Sequence, residues 1–120
     1  MAVGRAVVFY KTDRGGCPVE DFLDALSPKA AQKVLWVLKL VKELDIVPVS
    51  YFRKLTGTDE IWECRVVHQG NTYRVLGFFD RGNRVVLTHG FTKKTPKTPS
   101  AEIHRTTQLK VDYLRRRRDA

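Results

Sequence analysis

Residues 61–97 read IWECRVVHQGNTYRVLGFFDRGNRVVLTHGFTKKTPK, and this stretch decides the fold. Within it, the segments 61–67, 73–80 and 84–89 are rich in β-branched and aromatic residues, a composition typical of strands. The connections at 68–72 and 80–83 are short, and short connections require neighbouring strands to run antiparallel. We therefore expect three antiparallel strands in chain order, followed by a basic segment that leaves the sheet within 89–97.

Two signals for the start of a helix precede this stretch. Cys17-Pro18 and Ser27-Pro28 each put proline at a first helical position, where its missing N–H costs nothing. Apolar residues then recur at three- and four-residue steps, the spacing of a helix with one buried face; they are Ala30, Ala31, Val34, Leu35, Val37, Leu38, Val41 and Leu44. The second helix should end before Pro48. These signals predict a helical hairpin packed over one face of the sheet.

Two short strands and a last helix complete the predicted fold. The segments 3–10 and 51–55 have strand composition, and Thr98-Pro99 is expected to cap a helix that begins near Ser100. The weak apolar pattern of that helix predicts packing at an edge of the domain, and the basic end at 115–120 predicts a frayed or disordered tail. The fold class is therefore α+β: a twisted, mainly antiparallel sheet with an N-terminal helical hairpin and a C-terminal helix, in a single domain over 1–120.

The composition is strongly basic. The 22 lysines and arginines exceed the 13 aspartates and glutamates and give a formal net charge of +9. Such a charge favours phosphate-rich partners, with nucleic acid foremost, over acidic small molecules. The alternative is a merely soluble basic surface.

Other site classes have little support in the sequence. Cys17 and Cys64 have no metal-binding or redox spacing, so we expect packing roles and no metal or other cofactor. No apolar run approaches the roughly 20 residues needed to span a bilayer, and the N-terminus lacks a signal-peptide core. The expectation is a cytoplasmic protein that does not contact membranes.

The strands offer a cluster of cations. Because side chains alternate along a strand, a hairpin of 61–67 and 73–80 can place Arg65 and Arg74 on one face, with Lys93 and Lys94 alongside. Fixed cations stabilise the charge that gathers on phosphate oxygens when an RNA 2′-hydroxyl attacks its own phosphate. The cluster thus suits RNA cleavage without metal. The alternative is that the strand arginines pair with surface carboxylates.

A proton-transfer residue is harder to choose. His89 is the best-placed candidate base, since it titrates near neutrality and precedes the basic segment, but it can equally face inward and bond a carbonyl. His68 and His104 have less support. No pair of carboxylates has acid/base spacing that is convincing.

Four strings carry a family resemblance. They are Phe52-Arg53-Lys54-Leu55-Thr56-Gly57, Ile61-Trp62-Glu63-Cys64-Arg65-Val66, Tyr73-Arg74-Val75-Leu76-Gly77-Phe78-Phe79 and His89-Gly90-Phe91-Thr92-Lys93-Lys94-Thr95-Pro96-Lys97-Thr98-Pro99. As a set, and in this order, they resemble the phage-derived, HigB-like branch of the RelE/ParE toxin superfamily. The resemblance extends over nearly the whole chain.

The resemblance implies a fold, an activity and a partner. It implies a RelE-like fold and a type II toxin that enters the ribosomal A site, cuts mRNA as a metal-independent endoribonuclease, and is silenced by a helix-turn-helix antitoxin. The phosphate-stabilising arginine of the family corresponds to Arg74, a second strand cation to Arg65, and the basic pair after the last strand to Lys93 and Lys94. Further RNA contacts are expected at Arg53, Lys54 and Lys97.

Two departures keep other functions open. Many relatives carry a catalytic tyrosine or histidine near the C-terminus, whereas here Tyr113 lies far along the last helix and His104 has no motif around it. ParE-like members of the superfamily inhibit DNA gyrase and do not cut RNA, so the fold alone does not decide the target. The alternatives to an mRNA interferase are therefore a gyrase inhibitor and an inactive protein that only binds nucleic acid or a partner.

Overall fold

The computed structural model describes residues 4–93 and 96–119 and confirms the predicted α+β fold class. Its elements are β1 (Ala6–Phe9), α1 (Pro18–Asp24), α2 (Pro28–Glu43), β2 (Phe52–Lys54), β3 (Trp62–His68), β4 (Asn71–Asp80), β5 (Arg84–Thr92) and α3 (Ser100–Asp119). The strands form one five-stranded sheet in the order β1-β5-β4-β3-β2. β1 lies parallel to β5, and the other neighbours are antiparallel. This arrangement is consistent with a RelE-like fold.

The predicted meander of three strands is confirmed, with tighter boundaries. β3 and β4 pair as far as His68 and Asn71, so the turn is only Gln69-Gly70 and the predicted turn at 68–72 is too long. Gln69 and Gly70 both have positive φ, 49° and 78°, and the larger value falls on glycine, which tolerates it without strain. β5 also runs past the predicted end at His89 to Thr92, which brings the basic segment closer to β4.

The helical hairpin covers one face of the sheet, as predicted. α2 begins after Ser27, whose hydroxyl accepts a hydrogen bond from the Ala30 N–H at 3.3 Å. The apolar residues of its inner face are buried against the sheet: Ala30, Val34, Val37, Leu38 and Val41. The prediction that Leu35 and Leu44 are buried is wrong, because they are 47% and 38% exposed.

α3 covers the opposite face, so the prediction that it packs at an edge is wrong. Ile103 packs with Leu55, Ile61 and Leu76, whereas Leu109 and Tyr113 pack against a second group of side chains; that group is Tyr10, Phe78 and Val86. The sheet is therefore enclosed between the hairpin and α3. Each face of the central strands is buried, which explains their nearly continuous apolar sequence.

The predicted frayed tail is also wrong, because α3 continues to Asp119. Arg115 and Arg116 bond the carboxylate of Asp112 at 2.7 and 2.9 Å, one helical turn earlier. Arg117 pairs with Asp80 at the end of β4. The contact between Arg117 and Asp80 holds the basic run against the sheet. Within the described part of the chain, no helix has both the length and the apolar character needed to cross a membrane.

Candidate functional site

Arg65 and Arg74 lie directly opposite each other on β3 and β4. Both side chains point away from the helical hairpin, because Cys64 and Val66, the strand neighbours of Arg65, are packed beneath it. Arg65 is half-buried, whereas Arg74 is completely buried. The structure therefore brings these two predicted site residues together on the α3 side of the sheet.

Glu63 joins three segments of the chain beside this pair. Its carboxylate is fully buried and lies 3.5 Å from Nη2 of Arg53 on β2 and 3.9 Å from Nε of Arg74 on β4. The Thr98 hydroxyl donates a hydrogen bond to the same carboxylate. A buried carboxylate is costly unless it is paired and hydrogen-bonded, and these partners supply that compensation.

The contact with Glu63 corrects a prediction. The Thr98 hydroxyl was expected to cap α3, but it bonds a strand residue 35 positions earlier in the chain. Glu63 and Thr98 were not predicted as functional residues. The alternation of β3 puts Glu63 on the face of Arg65, and this signal could have drawn attention to it.

Two described residues of the basic segment between β5 and α3, Lys93 and Pro96, contact β4 at or near Arg74. The Lys93 N–H donates to the Thr72 carbonyl at 2.9 Å, and Nη2 of Arg74 donates to the Pro96 carbonyl at 3.1 Å. Lys93 and Lys97 are exposed. Lys94, a predicted site residue, lies outside the described residues. Arg74 therefore lies beneath the exposed cations of the basic surface.

The electrostatics of Arg74 reflect this position. Burial lowers the pKa of its guanidinium, the charge of Glu63 acts in the opposite direction, and the nearby Arg65 and Arg53 lower the pKa further. An arginine pKa remains far above neutrality, so Arg74 stays charged. Two guanidinium groups, those of Arg53 and Arg74, lie beside the Glu63 carboxylate. With Arg65 opposite Arg74, the cluster carries excess positive charge.

A cleft next to this group contains the other predicted RNA contacts. Its volume is about 240 Å³, and it lies between β2 and the start of α3. The residues that line it are Arg53, Lys54, Leu55, Thr56, Lys97, Thr98 and Ile103. Lys54 also bonds Glu60 at 2.7 Å, which lowers the pKa of that carboxyl. The structure therefore gathers Arg53, Lys54 and Lys97 along one cleft with cationic and hydroxyl-bearing walls.

His89 lies on the same face of the sheet but beneath α3. It is 1% exposed. Its Nε2 is 3.1 Å from a carboxylate oxygen of Glu102, and its Nδ1 is 3.2 Å from the Thr88 hydroxyl. Burial lowers the pKa of the imidazole, Arg105 lowers it further, and Glu102 opposes both. His89 is thus separated from the exposed cations, and its role as a base stays a prediction.

The cysteines and the possible metal ligands offer no further site in the described residues. Cys17 and Cys64 are buried free thiols in the core beneath the hairpin, and burial raises the pKa of Cys64 to about 12. In residues 4–93 and 96–119, no group of three or more His, Cys, Asp or Glu side chains is arranged to hold a metal ion.

A family model described as "Phage derived protein Gp49-like (DUF891)" matches residues 21–111. No curated protein matches the chain. The matched range includes all of β2 to β5, and with them Arg53, Glu63, Arg65 and Arg74.

Proposed function

The chain belongs to the Gp49-like family of phage-derived proteins, which is linked to RelE-like toxins, and we propose that it is a HigB-like toxin that cleaves mRNA on the ribosome. The observation that carries this proposal is the placement of Arg65 opposite Arg74. Two like charges side by side in a sheet are unfavourable by themselves and become favourable when an anion lies between or above them.

A phosphodiester is the anion that fits this surface best. Arg65, Lys93 and Lys97 reach the surface around the buried Arg74, and the chain as a whole carries a net charge of +9. Guanidinium groups bind phosphate through paired hydrogen bonds, and several cations in a row follow a nucleic-acid backbone. The cleft with Arg53, Lys54 and Lys97 would take the RNA next to the scissile bond.

The proposed reaction is internal transfer of the phosphate. The RNA 2′-oxygen attacks the adjacent phosphorus and loses its proton, while the bond from phosphorus to the 5′-oxygen breaks and that oxygen gains a proton. A cyclic phosphate and a 5′-hydroxyl result. Arg65, Lys93 and Lys94 would bind the non-bridging oxygens, and Arg74 would add its charge from below. His89 is the candidate base, and the proton donor has no assignment.

The family also supports a proposed partner. Toxins linked to RelE are held inactive by an antitoxin, and we propose a helix-turn-helix antitoxin for this chain. The site of action would then be the cytoplasm, where the toxin meets ribosomes.

Induced expression in growing cells tests the proposal. We expect growth arrest, together with new 5′ ends within mRNA coding regions when total RNA is mapped by primer extension. Plasmid supercoiling should remain unchanged. Arrest with intact mRNA and relaxed plasmid would replace the proposal with gyrase inhibition, and normal growth would indicate an inactive binding protein.

A further inference from the structure

Thr98 connects the basic segment to the interior of the sheet. Its side chain is buried and donates to Glu63, whereas the preceding residue, Lys97, is exposed and lines the cleft beside Arg53. Prolines at 96 and 99 flank the two residues and prevent a helix or strand from fixing their position. The contact with Glu63 is therefore a specific attachment point for this part of the chain.

We propose that Glu63 is a positioning residue for RNA binding, and that it acts through Thr98 to hold Lys97 at the phosphate surface. This inference rests on the proposed function and deepens it, since it adds residues that do not themselves contact RNA. The Glu63 carboxylate also accepts from Arg53, so one buried group would set the direction of two cations that line the cleft.

The cost of burying Glu63 favours positioning over stability as its role. A buried ion pair is weak evidence for stability, because apolar residues of similar volume often serve the fold equally well. An apolar residue at position 63 would offer no hydrogen-bond acceptor to the Thr98 hydroxyl or to Arg53. The carboxylate is thus the feature that couples β2, β4 and the basic segment.

A double-mutant cycle separates positioning from general stabilisation. The variants are Thr98→Val, which keeps the shape of the side chain and removes the hydroxyl, Lys97→Ala, and their combination. Binding of a fluorescein-labelled single-stranded RNA is measured by fluorescence anisotropy at several salt concentrations. Thr98→Ser keeps the hydroxyl, and Lys29→Ala removes one exposed charge on α2. Circular dichroism confirms that each variant is folded at the assay temperature.

We expect Thr98→Val and Lys97→Ala to weaken binding alike, and each to reduce the slope of log K against log salt by about 0.7, the value for one phosphate contact on single-stranded nucleic acid. The double variant should equal Lys97→Ala alone, because Thr98 acts through Lys97. Thr98→Ser should bind like the wild type, and Lys29→Ala should bind more tightly than Lys97→Ala.

Three results would overturn the inference, and each differs from failure of the proposed function. Wild-type affinity and salt slope in Thr98→Val would show that the attachment does not position a cation. Additive losses in the double variant would show that Thr98 acts independently of Lys97. Absence of RNA binding by the wild-type protein would also overturn the inference, whereas the proposed cleavage on the ribosome would still be decided by primer extension in a translation system.

Discussion

Arg65 and Arg74 face each other across adjacent antiparallel strands, and the Glu63 carboxylate lies 3.9 Å from the Arg74 guanidinium. The same buried carboxylate also pairs with Arg53, so it compensates two of the three neighbouring arginines. Like charges placed side by side destabilise a folded protein. A protein can keep such a costly pair where a bound ligand neutralises the charges.

Arg65→Ala should lower the cleavage rate without lowering the stability of the fold. Loss of one well-placed cation from an oxyanion-type site typically lowers the rate by about 10²–10³, so mRNA cleavage should fall by that order. Removing a charge that repels Arg74 should leave the melting temperature unchanged or raise it. Cleavage rate and thermal unfolding are measured on the same preparation. Wild-type cleavage, or a clear loss of stability, would contradict this prediction.

Arg74→Met should reduce stability strongly. It leaves the buried Glu63 without its buried partner, and breaking such a pair typically costs about 3–5 kcal/mol. Urea denaturation measures the free energy of unfolding. Arg53→Met is the matched comparison and should cost less, since the Arg53 side chain is 45% exposed and Glu63 keeps its buried partner Arg74. Equal losses in the two variants would be evidence against the buried network described above.

Stability should depend on pH through His89. The pKa of His89 is lowered in the folded protein by burial and by Arg105, with Glu102 opposing them. Between that lowered pKa and the unfolded value of about 6.5, the unfolded chain binds more protons, so stability falls as the pH falls through this window. His89→Gln should flatten the plot of melting temperature against pH below about 6.5. His104→Gln, at an exposed position, is the control, and an unchanged slope in His89→Gln would refute the assignment.

Gly90→Ala should disturb the end of β5 that leads to Lys93. A Cβ atom at position 90 would lie 2.4 Å from a ring carbon of Phe22 on α1. Overpacking of this kind typically costs about 1–3 kcal/mol. Phe22→Leu should recover part of that loss in the double variant, because it removes the ring atoms that collide. Thermal unfolding of the two single variants and the double variant checks this, and strictly additive losses would contradict it.

Local signals were sufficient for much of the fold. Ser27-Pro28 specifies the start of α2 through chemistry contained in a few residues, and short turns specify the antiparallel meander. The alternation of β3 and β4 was likewise enough to predict that Arg65 and Arg74 share a face, which the pairing confirms.

Long-range contacts account for what the sequence did not predict. The path of α3 across the second face depends on sparse apolar residues such as Ile103, whose pattern is too weak to choose a face. The order of the basic tail depends on Asp80, which is distant in sequence from its partner Arg117. The same is true of Glu63 and Thr98, because the route of the chain after β5 decides whether they meet.

Ribosome-dependent cleavage is the most direct test of the proposed function. A defined mRNA is mapped by primer extension in a purified translation system, with ribosomes present or omitted. The account predicts cuts by the wild-type protein only when ribosomes are present, and equally with Lys29→Ala. Intact mRNA in the complete system, or the same cuts without ribosomes, would contradict it.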